Sequence, residues 1–353
     1  YQRHYGLVTG EHHSFFLPSH SFHQNHFLFY QKNKKMETSN NLEIVHDVFP
    51  YLQVYKSGTV KRLVGTEFAP ATYDSQTGVT SKDVLINPET GISARIYQPH
   101  LTAKGKKLPL VVYFHGGAFC ISSVGDPKYH DSLNVFVSSA NVVLVSVDYR
   151  LVPEHPLPTA YDDSWYVLKW VAGHNNLNHG TEDWLKELVD FDSVFLAGDS
   201  AGANISHLMA IRADEALGMK ISGMIMISPY FWGEEPIGIE IQDSVRKSMV
   251  DKWWKFVCPS NKGNDDPLIN PFVDEAPNLD ELACDRVVVC VAELDILRDR
   301  GILYYESLVK SQWKGKAEMI ETKGEDHVFH IFNPNSEAAL DLVKCWAAFI
   351  NEK

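Results

Sequence analysis

The chain has 353 residues, 44% of them hydrophobic, and a formal net charge of −13. That length suits one large α/β domain with additions, or two small ones, and the composition is ordinary for a globular protein. The acidic balance argues against nucleic acid and anionic membrane as partners, and no apolar run approaches the roughly 18 residues that span a bilayer.

Residues 1–35 differ from the rest. They hold six of the sixteen histidines, one acidic residue (Glu11) and four basic ones (Arg3, Lys32, Lys34, Lys35), and the first methionine is Met36. This reads as a non-native or disordered extension, with Met36 as the natural start and a transit peptide as the functional alternative. The histidines His12, His13, His20, His23 and His26 lack the acidic ligands and periodic scaffold of a metal site. The polar sequence after Met36 has no signal-peptide hydrophobic region, so a cytoplasmic location is expected.

Residues 44–65 predict a short helix or turn, then a hairpin: Leu52–Tyr55, a turn at Lys56-Ser57-Gly58-Thr59, and Val60–Leu63. Strands are expected at Lys82–Ile86 and Ala94–Tyr97, joined by the turn Asn87-Pro88-Glu89-Thr90-Gly91. Leu108–Phe114 and Val142–Val147 are continuous apolar runs, as expected of strands buried on both faces. A helical pattern covers Tyr161–Val171. Strand-like and helix-like segments then alternate: Phe191–Ala197, a helix from Ala203 to about Ala216, Ser222–Ile227, Val287–Val291, a helix near Arg300–Ser311, Lys316–Ile320, and a last helix Ser336–Ile350. This alternation predicts a mainly parallel central sheet with helices on both faces. Phe231–Pro271 breaks it, and reads as an insertion packed over the site as a cap, together with about 40–65. Its aromatic residues, Trp232, Trp253, Trp254 and Phe256, either line an apolar pocket or fill core.

The five cysteines (Cys120, Cys258, Cys284, Cys290, Cys345) are odd in number and scattered, with no C-x-x-C pair. Reduced buried thiols are expected rather than a disulfide framework or a zinc site. The only N-x-S/T sequon, Asn204-Ile205-Ser206, falls within an expected helix, where a glycan would not fit.

Gly198-Asp199-Ser200-Ala201-Gly202 fits G-x-S-x-G between a strand and a helix, the context in which a serine becomes an exposed nucleophile. Glycines on both sides give room for a strained turn, and the following helix points its free amides at the site. A serine hydroxyl needs a base, and the base needs an orienting acid, here in the order Ser, acid, His. Asp295 follows the strand Val287–Val291 and His327 follows Lys316–Ile320; both lie past a strand's carboxyl end, where open α/β sheets place their sites. Ser200 is therefore the expected nucleophile, His327 the base and Asp295 its orienting acid. Glu293, Asp299 and His330 are the competitors. His115-Gly116-Gly117-Ala118 follows Leu108–Phe114, so the amides of Gly116, Gly117 and Ala201 are the expected oxyanion donors.

With His115–Phe119, Ser146–Pro156, Gly198–Asn204, Glu293–Asp299 and Gly324–His327 together, the chain from about 42 to 352 resembles the plant carboxylesterase family within the hormone-sensitive-lipase-like α/β-hydrolases. The resemblance implies the α/β-hydrolase fold over 36–353, with a helical cap. It also implies a serine carboxylesterase acting on a small or medium carboxylic ester through an acyl-enzyme, with no metal or organic cofactor. Asp148, Arg150 and Glu154 would hold the loop behind the site. Two branches supply rivals. Phe231–Gly238 is similar to the 2-hydroxyisoflavanone dehydratases, some of whose lyase-type relatives carry Thr at the nucleophile place, so Ser200 favours hydrolysis. The gibberellin receptors keep the fold but lack the triad histidine, which His327 supplies. The expected partner is a small-molecule ester; the sequence leaves the oligomeric state unknown.

Overall fold

The computed structural model describes residues 43–100, 105–175, 180–213 and 217–352. The extension 1–35 and its histidines lie outside the described residues. Two compact units are formed. One includes the described residues 43–47 and 54–60; the other comprises 48–53 and 61 onward. Within the first, Tyr55 N donates to the Thr59 carbonyl (2.9 Å) around Gly58, and Lys56 Nζ pairs with Glu43 Oε2 at 2.9 Å.

In chain order the elements are β1 (Ile44–Val48), β2 (Leu52–Tyr55), β3 (Val60–Arg62), β4 (Thr80–Asn87), β5 (Ile92–Gln98), β6 (Leu108–Phe114), α1 (Pro127–Ala140), β7 (Val143–Asp148), α2 (Thr159–Ala172), α3 (Asp183–Leu188), β8 (Val189–Asp199) and α4 (Ala201–Arg212). Then come β9 (Gly223–Ile227), α5 (Ser244–Val257), β10 (Arg286–Ala292), α6 (Arg298–Lys310), β11 (Lys316–Thr322), α7 (Phe329–Phe332) and α8 (Glu337–Asn351). The expected helix or turn at the start of 44–65 is instead strand β1. The helix after Ser200 begins two residues earlier than expected, and residues 214–216 beyond it lie outside the described residues.

The eight-stranded sheet has the order β11-β10-β9-β8-β6-β7-β5-β4. The six strands from β11 to β7 are parallel, while β5 and β4 pair antiparallel at one edge. Alternation along each strand divides the core. Val111 and Tyr113 of β6, Phe195 and Ala197 of β8, and Val288 and Cys290 of β10 share one cluster with residues of α1 and α8. The intervening Val112, Leu196 and Met226, all fully buried, belong to the other face, where α4 packs on β8 and β9 and α2 packs on α4. In α8, Ala339, Leu342, Val343, Trp346, Phe349 and Ile350 recur at helical spacing and are buried, and the Ser336 side chain caps the helix by accepting from Ala339 N.

Helix α1 was not expected from periodicity, although its start is marked: the Asp126 side chain accepts from Lys128 N, and Pro127 occupies the first turn. The segment 231–271 is tied down by polar anchors. Arg300 reaches Glu240 (Nε–Oε1, 2.7 Å) in a buried pair, and the Trp232 indole N–H donates to Asp251 Oδ1 at 2.7 Å. Asn204, buried in α4, donates to the carbonyls of Tyr230 and Leu268 and accepts from the Tyr161 hydroxyl. No described helix is long and apolar enough to cross a membrane.

Candidate active site

Ser200 joins β8 to α4. Its backbone has φ 52° and ψ −118°, a left-handed conformation that costs a non-glycine residue on the order of 1–3 kcal/mol. Two glycines make the turn possible. A Cβ at Gly202 would collide with the Phe114 carbonyl, and one at Gly198 with the backbone of Gly202. Ser200 N donates to the Ile227 carbonyl at 2.8 Å, which locks the turn onto β9. The serine is buried, at 8% exposure, and its Oγ is 3.0 Å from His327 Nε2.

His327 follows β11, and its Nδ1 lies 2.7 Å from Asp295 Oδ2. Asp295 follows β10, is fully buried, and accepts from Leu297 N through Oδ1 at 2.9 Å. A carboxylate facing Nδ1 requires the proton there. Nε2 is then left as the acceptor for the serine hydroxyl. Burial disfavours the imidazolium, but the charge and hydrogen bond of Asp295, helped by Asp199 and Asp326, outweigh it and raise the His327 pKa above its ordinary value.

The competitors are engaged elsewhere. Glu293 accepts from Gly324 N (2.8 Å) and pairs with Lys323. Asp299 accepts from Ile239 N at 2.6 Å and pairs with Arg298. His330 is buried edge-on against Trp346, and burial pushes its pKa down to about 3.

The expected oxyanion loop needs one correction. The Gly116 amide is committed to the Asp199 carboxylate (3.0 Å) and the Tyr129 hydroxyl (2.9 Å), so it is not presented to a substrate. Gly117 and Ala118 line the cavity beside Ser200. Both have positive φ, 101° and 50°, which turns the loop away from strand geometry immediately after Gly116.

Asp199 is the residue the sequence reading passed over. Fully buried beside Ser200, it accepts from the hydroxyls of Tyr113 (2.8 Å) and Tyr129 (2.7 Å) as well as from Gly116 N. Burial raises its pKa, against the lowering pull of the two hydroxyls. It bolts the glycine loop to the turn that carries Ser200. Its place in the middle of G-x-S-x-G was the available signal, but its partners lie 70 to 86 positions away. Behind the site, Asp148 accepts from Ser93 Oγ and Val124 N, Arg150 pairs with Asp163, and Glu154 takes Arg62 in a two-pronged pair.

The cavity over Ser200 holds about 750 Å³, and Tyr51, Tyr230, Trp253, Phe329 and Phe332 are among its walls. The aromatic residues of 231–271 therefore divide: Trp253 faces the cavity, while Trp232 and Trp254 are core. A second hollow of about 620 Å³, walled in part by Asp190, Lys220, Arg286 and Lys316, sits where β8, β10 and β11 begin, away from the carboxyl ends that carry the serine. Among the described residues no group of three His, Cys, Asp or Glu could hold a metal ion.

The family described as alpha/beta hydrolase fold matches residues 111–331. The "Probable carboxylesterase 2" of Arabidopsis thaliana is 56% identical over 315 residues, 89% of this chain and 98% of that protein. The chain belongs to the α/β-hydrolase fold family. A second family description, the carboxylesterase family, matches residues 62–153 of this hydrolase. The 2-hydroxyisoflavanone dehydratase of Glycyrrhiza echinata is 44% identical over 321 residues, 89% of this chain and 98% of that one. Among solved structures, a hyperthermophilic esterase from Pyrobaculum calidifontis superposes with a TM-score of 0.63 at 31% identity, over 76% of this chain and 84% of that chain. With these relatives, this α/β-hydrolase is a serine carboxylesterase, a carboxylic ester hydrolase of a family that acts on small esters.

Proposed function

We propose that Ser200 is the nucleophile, His327 the general base and then acid, and Asp295 the group that orients the imidazole. The observation that carries this reading is the unbroken chain Asp295 Oδ2–His327 Nδ1–His327 Nε2–Ser200 Oγ, at 2.7 and 3.0 Å. Ser200 Oγ adds to the ester carbonyl as its proton passes to Nε2. The tetrahedral oxyanion takes hydrogen bonds from the amides of Gly117 and Ala201, with Ala118 beside them in the cavity wall. Collapse breaks the ester C–O bond, and the alcohol leaves with the proton from Nε2. Water then repeats the sequence on the acyl-serine and releases the acid, restoring the Ser200 hydroxyl.

Residues 231–271, with Pro50, Tyr51, Val64 and Gly65, act as the cap that shapes the substrate cavity. Its largely apolar, aromatic wall suits a medium-sized ester with an apolar or aromatic part. The test is intact-protein mass spectrometry after exposure to 4-nitrophenyl acetate and, separately, to an organophosphate. Ester turnover with one covalent adduct mapped to Ser200 supports the assignment. An adduct on another residue, or turnover that survives Ser200→Ala, would overturn it. The relatives of the dehydratase branch make a 2-hydroxyisoflavanone the second substrate to try; water elimination faster than ester turnover would move the natural reaction to that class.

A further inference from the structure

Helix α5 does more than wall the cavity. Arg246, Met249 and Trp253 stand at i, i+3 and i+7, so they share one face of the helix, and all three line the cavity that holds Ser200. Met249 and Trp253 offer apolar surface. Arg246 instead reaches across to the loops that carry the acid and the base. Its Nε donates to Asp243 Oδ2 at 2.6 Å, which fixes the side chain at the helix start. Its Nη1 donates to the Leu294 carbonyl at 2.9 Å and lies 3.5 Å from Asp326 Oδ2.

Those two contacts fall on the residues immediately before Asp295 and His327. Asp326 Oδ1 in turn accepts from His327 N at 2.7 Å, and Leu294 N donates to the Glu325 carbonyl at 2.9 Å. The two loops are thus stitched together, and the guanidinium spans the seam.

We propose that Arg246 is a positioning residue, by which helix α5 holds the Leu294–Asp295 and Asp326–His327 segments in register, so that the surface receiving the substrate and the alignment of His327 on Ser200 are set by one rigid element. The inference rests on the reading of Ser200 and His327 as nucleophile and base. Only arginine carries a planar fork of donors able to serve a carboxylate, a carbonyl and a second carboxylate together; a lysine ammonium keeps the charge but not the fork. Arg246 is about one-third exposed and Asp326 more so, so the ion pair adds little to folding stability. Its consequence is geometric and electrostatic. The groups that act on the His327 imidazole are Asp295, Asp199, Asp326 and His330, the last kept neutral by burial; Arg246 offsets the charge of Asp326.

The test compares the full-length parent with Arg246→Ala, Arg246→Lys, Asp326→Asn and Ser200→Ala, on 4-nitrophenyl butyrate across pH. Arg246→Ala is expected to lose about 10- to 100-fold in kcat with KM nearly unchanged, the scale of a small misplacement of a catalytic group. Its acid limb should move to higher pH, because Asp326 is left uncompensated beside His327. Asp326→Asn should move that limb to lower pH, and provides the same test should Arg246→Ala fold poorly. Arg246→Lys should restore the limb while recovering only part of kcat. The proposal is overturned by an unchanged kcat in Arg246→Ala, by a loss confined to KM, or by an acid limb that neither substitution moves. Residual turnover in Ser200→Ala would instead sink the nucleophile reading, which keeps the two failures apart.

Discussion

Ser200 stands between two buried aspartates that do opposite work. On one side Asp295 offers its carboxylate to a histidine that is still 31% exposed and faces the cavity. On the other, Asp199 gives its oxygens to Tyr113, Tyr129 and the Gly116 amide. Both carboxylates are fully buried, yet one is joined to the imidazole proposed as the base, which on that reading changes its protonation in every cycle. The other is held by two tyrosine hydroxyls and a backbone amide. Burial of an acid beside Ser200 is therefore not what sets the two aspartates apart; the partner is.

The sharpest way to test that contrast is to remove what the two sides share. Ser200→Ala should cut ester turnover by about 10⁶-fold, as deletion of a triad serine does elsewhere; steady-state kinetics with active-site titration would measure it, and a loss below about tenfold would dissolve the contrast. Next in size, Asp295→Asn should cost about 10⁴-fold in kcat, because an amide at that place favours the wrong imidazole tautomer. Asp199→Asn should cost less, about 10- to 100-fold, since it only loosens the loop that carries the oxyanion donors. Equal losses in the two variants, measured on the same ester, would erase the distinction between a catalytic and a positioning aspartate.

The smallest effect is a shift along the pH axis. On the proposed assignment His327 acts as a base only when neutral, and Asp295 raises its pKa. Activity should accordingly rise with pH through an apparent pKa above the ordinary histidine value of about 6.5. In Asp295→Asn the residual activity should show that limb at lower pH, whereas Asp199→Asn should move it less, because Asp199 acts on His327 only through space. A pH–rate profile of kcat/KM for the parent and both variants decides this.

Local sequence carried much of the framework. The run Leu108–Phe114 is β6 with the same bounds, and the alternation of strand and helix foretold a mainly parallel sheet. The G-x-S-x-G turn was legible in part because the demand at Gly198 is made within five residues: a Cβ there meets the backbone of Gly202 and Ala203, whereas one at Gly202 meets the distant Phe114 carbonyl. The same locality explains the misses. Ile44–Val48 reads ambiguously over so short a run, and the polar Lys128, His130 and Asp131 masked the helix that Asp126 and Pro127 begin.

What the sequence determined by itself was chemistry at fixed spacing: a serine in a forced turn, glycines after a buried strand, and an acid and a histidine past later strand ends. What only the tertiary structure decided was which donor, aromatic and charge each of these meets. Gly116 and Gly117 are adjacent and identical, yet Asp199, 83 positions away, claims the first amide and leaves the second in the cavity wall. Trp253 and Trp254 are also adjacent, and the 100° step between successive helix residues sends one to the cavity and the other to the core. Arg246 meets Leu294 and Asp326 across 48 and 80 positions. Periodicity and short motifs encode what neighbours in the chain demand of one another, and packing of the sheet's carboxyl edge settles the rest.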